Sequence, residues 1–281
     1  MEVRIWGCRG SLPTPGPESV RYGGNTTCLE IRLRDGTVII IDAGSGIRLL
    51  GERIAEAKDQ KDICLLLTHG HWDHLHGFPF FRPAYMPGFR IKVIAGATEE
   101  VDGLKYLSHQ MKPPFFPVRF EDLNADFVFE DWSRGKLKLA SAEIIPIPLN
   151  HPDGGFGYKL IEDGKSFVFL TDNELFFEHS GGLKRQRYVE WCKGADLLLH
   201  DAQYGEKEYE SRTRGWGHTT YLQATQLAID SGVKSFGLFH HDPSRSDDMI
   251  DGLVEECSGL IRKSGLAIEC FGARDGMKLV V

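Results

Sequence analysis

Four histidines and an aspartate lie within the short run from His69 to His76, directly after an apolar stretch at residues 63–67. That stretch has the pattern of a strand covered on both faces. On a helix, residues two apart point to different faces, whereas a loop that leaves a strand can turn His69 and His71 toward one point. Asp73 and His74 can then serve a second point. Imidazole with carboxylate suits Zn²⁺, Mn²⁺ or Fe²⁺ and not Ca²⁺ or Mg²⁺. The run predicts a metal site rather than a surface loop with incidental spacing.

Further metal ligands are expected at the ends of other predicted strands, because four residues cannot complete two metal sites. Five polar side chains follow apolar runs in this way: His151, Asp172, Asp201 and the adjacent pair His240 and His241. Any one of them alone could be an ordinary loop residue. Polar groups that repeatedly end buried strands at one edge of a sheet instead indicate a common site.

The order of apolar patterns predicts an α/β fold with a mixed sheet in a single domain, residues 1–281. Strands are expected at 1–6, 29–33, 38–41, 63–67, 143–149, 156–162, 166–171, 196–200, 234–239, 266–271 and 277–281. Helices are expected at about 47–58, 98–111, 183–193, 219–231 and 247–263. The proline-rich residues 113–117 are interpreted as a loop over the surface or pocket rather than as a linker.

The charge and cysteine content limit the classes of function. A net charge of −7 argues against a protein that binds nucleic acid through a broad basic surface, but it allows a small anionic substrate held by metal ions. The chain has no apolar run long enough to span a membrane and no signal-peptide core, so a cytoplasmic location is expected. The six scattered cysteines are interpreted as reduced thiols, so we expect no thiolate-bound zinc.

The motif His69-x-His71-x-Asp73-His74, followed in order by His151, Asp172 and His240, resembles the metallo-β-lactamase superfamily over essentially the whole chain. The resemblance implies a four-layer αββα sandwich with two divalent metal ions, Zn or else Mn or Fe, at one edge. It implies that His69, His71 and His151 hold one metal and that Asp73, His74 and His240 hold the other, with Asp172 bridging them. Asp42 would either support a histidine from behind the site or simply form a turn.

Three further segments resemble the branch of the superfamily that contains ribonuclease Z and cyclic phosphodiesterases. They are the glycine-rich residues 7–15 with the Asn-Thr segment 24–28, the His-Asp-Ala motif 198–202 and the His-Thr-Thr motif that begins at His218. In this branch, two metal ions polarise a phosphoryl oxygen and supply a hydroxide nucleophile. His218 is the expected general acid, oriented by Asp201. The resemblance implies that Asp73 both ligates a metal ion and takes the proton from the water. A capping or packing role for His218 at the next helix is the alternative.

The departures from that branch affect the expected substrate. Thr171 precedes Asp172 where the branch has glycine, and His240 is aligned as the ligand, which leaves His241 as a neighbour or substrate contact. Only a short segment separates Asp172 from the strand near Ala195, so the long basic arm with which ribonuclease Z clamps tRNA is missing. The basic residues 184–187 are interpreted as a solvated helix face. A small or cyclic phosphodiester is therefore expected, and tRNA is not.

Other readings of the same site remain open. The chain could be a lactonase or a thioesterase, a tRNA 3′-processing nuclease, or a metal-binding sensor without catalysis. No membrane partner is expected. The aromatic residues 78–81 could form a homodimer contact or could simply pack against the rest of the protein.

Overall fold

The computed structural model describes residues 1–57, 60–95, 103–131 and 135–281, and within these ranges the chain forms two mixed seven-stranded sheets. The first sheet has the strand order β14-β1-β2-β3-β4-β5-β6. Its strands are β1 (Glu2–Gly7), β2 (Cys28–Arg32), β3 (Val38–Ile41), β4 (Asp62–Leu67), β5 (Arg90–Ala95), β6 (Asp126–Asp131) and β14 (Lys278–Val280). Neighbouring strands from β14 to β3 are antiparallel, and those from β3 to β6 are parallel.

The second sheet repeats this plan with the order β13-β12-β11-β10-β9-β8-β7. Its strands are β7 (Leu137–Leu139), β8 (Ala142–Pro148), β9 (Phe156–Glu162), β10 (Lys165–Leu170), β11 (Leu197–Asp201), β12 (Ser235–Phe239) and β13 (Glu269–Gly272). The strands from β7 to β10 are antiparallel, and those from β10 to β13 are parallel. Parallel strands end at the same edge of a sheet, which is where ligand sites form in α/β proteins.

The side chains of β3 point alternately to the two faces of the first sheet, and this alternation shows how the layers are held together. Ile39 and Ile41 join an apolar core with Phe169 and Leu199 of the other sheet, so this core lies between the sheets. Val38 and Ile40 point the opposite way and pack with α1 (Ile47–Glu56). Because successive strand residues face opposite sides, a continuous run of isoleucines can fill two cores at once.

Helices cover the outer face of each sheet. α1 and α2 (Gly103–Gln110) pack on the first sheet. α3 (Arg185–Cys192), α5 (Tyr221–Ser231) and α6 (Asp247–Ser264) pack on the second, while the short α4 (Glu206–Glu208) leads into a π-helical turn at Tyr209–Thr213. The order helix, sheet, sheet, helix confirms the predicted αββα sandwich.

Most predicted elements are present, with small shifts at their ends. The predicted strand 266–271 is wrong at its start, since β13 begins at Glu269. The predicted helix 98–111 is described only from Gly103, and its first part, like the last residue of the predicted helix 47–58, lies outside the described residues. β5, β6 and β7 were not predicted.

Two further predictions are tested by burial. All six cysteines are free thiols, as expected, and five of them are buried. In the aromatic segment 78–81, Phe78 and Phe81 are fully buried and only Phe80 is largely exposed. Most of the segment therefore packs inside the protein, which weakens it as a dimer contact. Of the helices in the described ranges, none has the length and apolar character needed to cross a membrane.

Candidate metal centre

The predicted site residues come together at one edge of the two sheets. His69, His71, Asp73 and His74 follow β4, and Asp73 and His74 lie on a single 3₁₀ turn, Trp72–His74. The second sheet contributes three side chains that follow β8, β10 and β12, namely His151, Asp172 and His240. Each is delivered by the carboxyl end of a strand, so the fold alone brings these distant parts of the sequence together.

The first group of potential metal ligands consists of His69, His71, His151 and Asp172, whose ligand atoms all lie within 4.8 Å of one another. His71 Nδ1 is 3.1 Å from His151 Nε2, and Asp172 Oδ1 is 3.6 Å from His69 Nε2. Three imidazoles and one carboxylate at this separation form a donor set of the kind that holds catalytic zinc.

The second group consists of Asp73, His74, His240 and, again, Asp172. Asp172 Oδ2 lies 3.2 Å from His74 Nε2 and 3.3 Å from His240 Nε2, and Asp73 Oδ2 is 3.1 Å from His240 Nε2. The two carboxylate oxygens of Asp172 thus face different groups. This is the arrangement that a bridging ligand between two metal ions requires.

The nitrogen atoms that face the centre fit a cation. The Nε2 atoms of His69 and His74 are buried beside the carboxylate of Asp172 but make no well-directed hydrogen bond with any described residue. Leaving a buried polar atom unpaired costs free energy comparable to a lost hydrogen bond, so such atoms require an explanation. A divalent metal ion would satisfy both nitrogens, and the imidazole and carboxylate donors suit Zn²⁺, Mn²⁺ or Fe²⁺.

Contacts made by the Nδ1 atoms of His69 and His74 turn the Nε2 atoms of the two rings toward the centre. His74 Nδ1 donates to Asp42 Oδ2 at 2.7 Å, and His69 Nδ1 lies 3.0 Å from the hydroxyl of Thr68. That hydroxyl in turn donates to Asp42 Oδ2 at 2.8 Å. Asp42 also has a left-handed backbone, with φ of 62°. Asp42 therefore has both of the roles considered from the sequence, because it forms a turn and also orients the ring of His74.

The histidines from the second sheet are held in the same way. His151 Nδ1 donates to the carbonyl of Gly217 at 3.0 Å, and His240 Nδ1 donates to Gln203 Oε1 at 2.9 Å. His71 is reversed, because its Nε2 atom lies 3.0 Å from Asp153 Oδ2 and its Nδ1 atom faces the group. These contacts fix ring orientation and tautomer before any ion binds.

Three residues of the centre have a left-handed backbone without being glycine. They are Asp42, Asp172 and His240, with φ of 62°, 53° and 58°. Asp42 and His240 directly follow β3 and β12, and Asp172 comes two residues after the end of β10. The conformation turns each side chain sharply toward the centre. Such residues cost roughly 1–3 kcal/mol each and collect at functional sites.

The charges around the centre favour the metal-binding protonation states of Asp172 and His69, but not that of His74. Burial alone would raise the pKa of Asp172, but the imidazoles of His240 and His74 outweigh it and hold that pKa well below its usual range. Burial, with His74 nearby, lowers the pKa of His69 well below its ordinary value. An ionised carboxylate and a neutral imidazole are the forms that bind metals. The carboxylates outweigh burial at His74 and raise its pKa, so a metal ion there would displace a proton.

His218 and Asp201 form a buried pair beside this centre. His218 Nδ1 lies 2.9 Å from Asp201 Oδ2 and 3.8 Å from Asp172 Oδ1, and the ring stacks on His240 with 5.0 Å between centroids. Burial would lower the pKa of His218, but Asp201 raises it to about 9. The N-cap of α5 is Thr220, which accepts from the Gln223 amide, so His218 has no capping role.

The remaining histidines of the predicted region lie outside the two four-membered groups. His241 donates through Nε2 to the carbonyl of Ala273 at 2.9 Å, so it points away from the centre. His76 Nδ1 donates to the carbonyl of Trp72 at 2.7 Å. The alignment of His240, rather than His241, with the ligand position therefore agrees with where the two rings lie.

Sequence reasoning missed a buried carboxylate that organises the segment before His218. Glu174 accepts hydrogen bonds from the amides of Gly215 and Gly217, at 2.7 and 2.8 Å, and from Tyr209 and His179. It is fully buried. Glu174 follows Asp172 by two residues, but no metal-ligand spacing marks it, and only the hydrogen bonds of the folded chain reveal its role.

The N-terminal glycine-rich loop also reaches the centre. The amide of Ser11 donates to Asp73 Oδ2 at 2.7 Å. A Cβ atom on Gly10 would lie only 2.4 Å from the imidazole of His240, so glycine is needed for this close approach. The loop thus packs on two residues of the second group.

Comparisons with known proteins agree with this fold and site. A family model described as a beta-lactamase superfamily domain matches residues 37–241. A ribonuclease Z from Bacteroides fragilis strain YCH46 is 34% identical over 95% of this chain and 97% of its own. The metallo-beta-lactamase fold protein YhfI from Bacillus subtilis superposes with a TM-score of 0.70 at 16% identity, covering 99% of this chain and 98% of that one. A diphosphatase of the PhnP family gives 0.68 at 21% identity, covering 100% and 97%.

Fold, donor set and relatives together define a metal-dependent hydrolase. The chain belongs to the metallo-β-lactamase superfamily, in the branch that contains ribonuclease Z.

Proposed function

We propose that this protein is a two-metal phosphodiesterase that acts on a small or cyclic phosphodiester. His69, His71 and His151 would hold one divalent ion, Asp73, His74 and His240 the other, and Asp172 would bridge them. Zinc is the proposed metal, with Mn²⁺ or Fe²⁺ as alternatives. When bound, two such ions stabilise charge on a phosphoryl group and lower the pKa of water. The proposal treats residues 1–281 as one domain, which the shared core between the sheets supports.

The observation that carries phosphodiester chemistry is the His218–Asp201 pair. Cleavage of a phosphodiester expels an alkoxide, which needs a proton from a positioned acid. Asp201 engages Nδ1 of His218 and raises its pKa to about 9, so His218 is protonated at neutral pH with Nε2 left for the leaving oxygen. Asp201 is the positioning residue, because it fixes the tautomer and orientation of that ring.

Asp73 has a second proposed role as the base that takes a proton from water. Burial would raise its pKa, but His74 and His240 hold the pKa well below the usual range. The carboxylate is therefore ionised, which is the form that both a metal ligand and a base require. Its Oδ2 atom is already fixed by the amide of Ser11, which keeps the group in one orientation.

Two features support a small substrate over tRNA. Residues 173–196, between Asp172 and β11, contain only the short helix α3 and no extended arm. Both arginines there are paired, since Arg185 contacts Asp230 and Arg187 lies 3.2 Å from Glu190. The net charge of −7 is also unfavourable for a broad RNA surface. The similarity to ribonuclease Z instead favours tRNA as the substrate, so tRNA 3′-processing is the second candidate function.

The test compares substrates on the zinc-loaded protein and its His218→Ala variant. We expect hydrolysis of a cyclic nucleotide, which expels an alkoxide, to fall by roughly 10²–10⁴-fold in the variant while its metal content is unchanged. Hydrolysis of bis-p-nitrophenyl phosphate should fall much less, because nitrophenolate leaves without a proton. Full activity of the variant would show that His218 is not the general acid. A panel of cyclic nucleotides, precursor tRNA, a lactone and a thioester identifies the reaction class, and faster turnover of precursor tRNA, lactone or thioester would overturn the proposal.

A further inference from the structure

A cleft of about 440 Å³ opens beside the loop that carries the first four site residues. Ligand sites commonly have volumes of roughly 300–1,000 Å³. The cleft lies between this loop and α2, and its lining includes Gly70, Trp72, Leu75, Lys105, Tyr106 and Lys112. Nothing in the proposed chemistry uses it.

The wall of the cleft is fixed to the metal-site loop. A Cβ atom on Gly70 would lie 2.4 Å from the ring of Tyr106, so α2 packs directly on the loop backbone between His69 and His71. Gln110 Nε2 also donates to the carbonyl of Leu75 at 3.0 Å. The cleft is therefore preformed and adjoins the backbone that carries the site residues.

Trp72 is the most unusual residue of the lining, because 70% of it is exposed. It stands between His71 and Asp73, which belong to the two different ligand groups. A large exposed ring that lines a cleft offers a flat apolar face to a ligand. Stacking of a nucleobase on such a ring is favourable and tolerant of base identity.

The charge of the cleft differs from that of the protein as a whole. Lys112 and His109 line it, and none of its described lining residues is acidic. Yet the chain carries a net charge of −7. A flat apolar face beside Lys112 is complementary to a ligand that is both aromatic and anionic.

We propose that this cleft binds the nucleoside part of a nucleotide phosphodiester, with the base stacked on Trp72. The inference rests on the proposed phosphodiesterase function and specifies its substrate class. Trp72 is then a specificity residue, since it touches the part of the substrate that does not react.

The test uses two esters with the same leaving group, the 4-nitrophenyl esters of thymidine 5′-phosphate and of methyl phosphate. Damage to the metal centre lowers both rates, so the ratio of their kcat/KM values reports only on the nucleoside. We expect the wild type to favour the thymidine ester by roughly 10-fold and Trp72→Ala to lose most of that preference. Trp72→Phe keeps a ring and should retain it. Phe115→Ala, at an equally exposed aromatic residue outside the lining, is the matched control and should match the wild type.

Binding of thymidine 5′-monophosphate, measured by calorimetry against inorganic phosphate, provides a readout without turnover. The wild type should bind the nucleotide more tightly, and Trp72→Ala should lose that advantage. The inference would be overturned if the wild type showed no preference for the thymidine compounds, or if that preference survived in Trp72→Ala. It would also be overturned if the preference were lost only in Trp216→Ala, a variant at an exposed residue near His218 in the sequence. Failure of the wild type to hydrolyse either ester, with Trp72-dependent binding intact, would instead overturn the proposed function.

Discussion

The carboxylate of Asp42 lies 2.7 Å from Nδ1 of His74, and both side chains are fully buried. The contact fixes the His74 ring so that Nε2 faces the centre, although Asp42 is itself too far behind the ring to be one of its ligands. Outer partners of this kind raise the basicity of a ligand and hold its tautomer. The metal affinity of the second group should therefore depend on a residue outside it.

Asp42→Asn should weaken zinc binding by roughly 10–100-fold, because the amide holds the imidazole less firmly and adds no negative charge. The measurement is a competition titration with a chromogenic chelator. Asp35→Asn is the control, since Asp35 is exposed and caps the amide of Thr37 in a surface turn. Equal zinc affinity in the two variants would contradict the role of Asp42.

Glu174→Gln should destabilise the protein by about 3 kcal/mol, because an amide nitrogen would then face buried donors in place of an acceptor. The amides of Gly215 and Gly217 are two of these donors. Loosening them should also displace His218, so activity should fall more than metal content. Urea unfolding and turnover measure both effects, with the exposed Glu178→Gln as control. If Glu174→Gln is as stable and as active as that control, Glu174 does not position the segment.

Asp275 should make stability depend on pH in the acidic range. Burial raises its pKa to about 6, against 3.8 for the ordinary carboxyl, and Asn25 opposes this only in part with bonds of 2.9 and 3.1 Å. The native state therefore holds the proton more tightly, and the contribution of Asp275 to stability is lost as pH rises from about 4 to about 6. Relative to Asp275→Asn, the free energy of unfolding should fall by about 2 kcal/mol across this window. Urea unfolding of the metal-free proteins measures it, and a constant difference between them would refute the shift.

Removal of the metal ions should destabilise the protein by several kcal/mol, because both groups crowd buried carboxylates and imidazoles that the ions would pair. Thermal unfolding should shift to lower temperature in excess chelator and return on addition of Zn²⁺. An unchanged midpoint would show that the groups are satisfied without a cation.

Much of the site was predictable because its residues follow strands. The run from His69 to His74 marks one strand end, and apolar runs before His151, Asp172 and His240 mark three more. Strand ends of parallel segments converge by topology, so linear order was sufficient to predict the group. The same reasoning placed Asp201 beside it, since Asp201 ends β11. His218 was predicted instead from the resemblance of its His-Thr-Thr motif to the ribonuclease Z branch.

What escaped prediction depends on contacts that leave no periodic trace. Glu174 and Thr68 act through hydrogen bonds to backbone and to neighbouring side chains, and such partners cannot be read from spacing. The missed strand β5 had a usable signal, because Ile91 and Val93 alternate with Arg90 and Lys92. The cleft beside Trp72 depends on how α2 packs on Gly70, which only the folded chain specifies.

The most direct test of the two-metal phosphodiesterase is a titration of Zn²⁺ into metal-free protein while hydrolysis of bis-p-nitrophenyl phosphate is followed. Because Asp172 is shared by both ligand groups, neither group alone is complete. Activity should rise until two equivalents per chain are bound and then stay constant. Activity that is complete at one equivalent, or that never appears, would contradict the proposal.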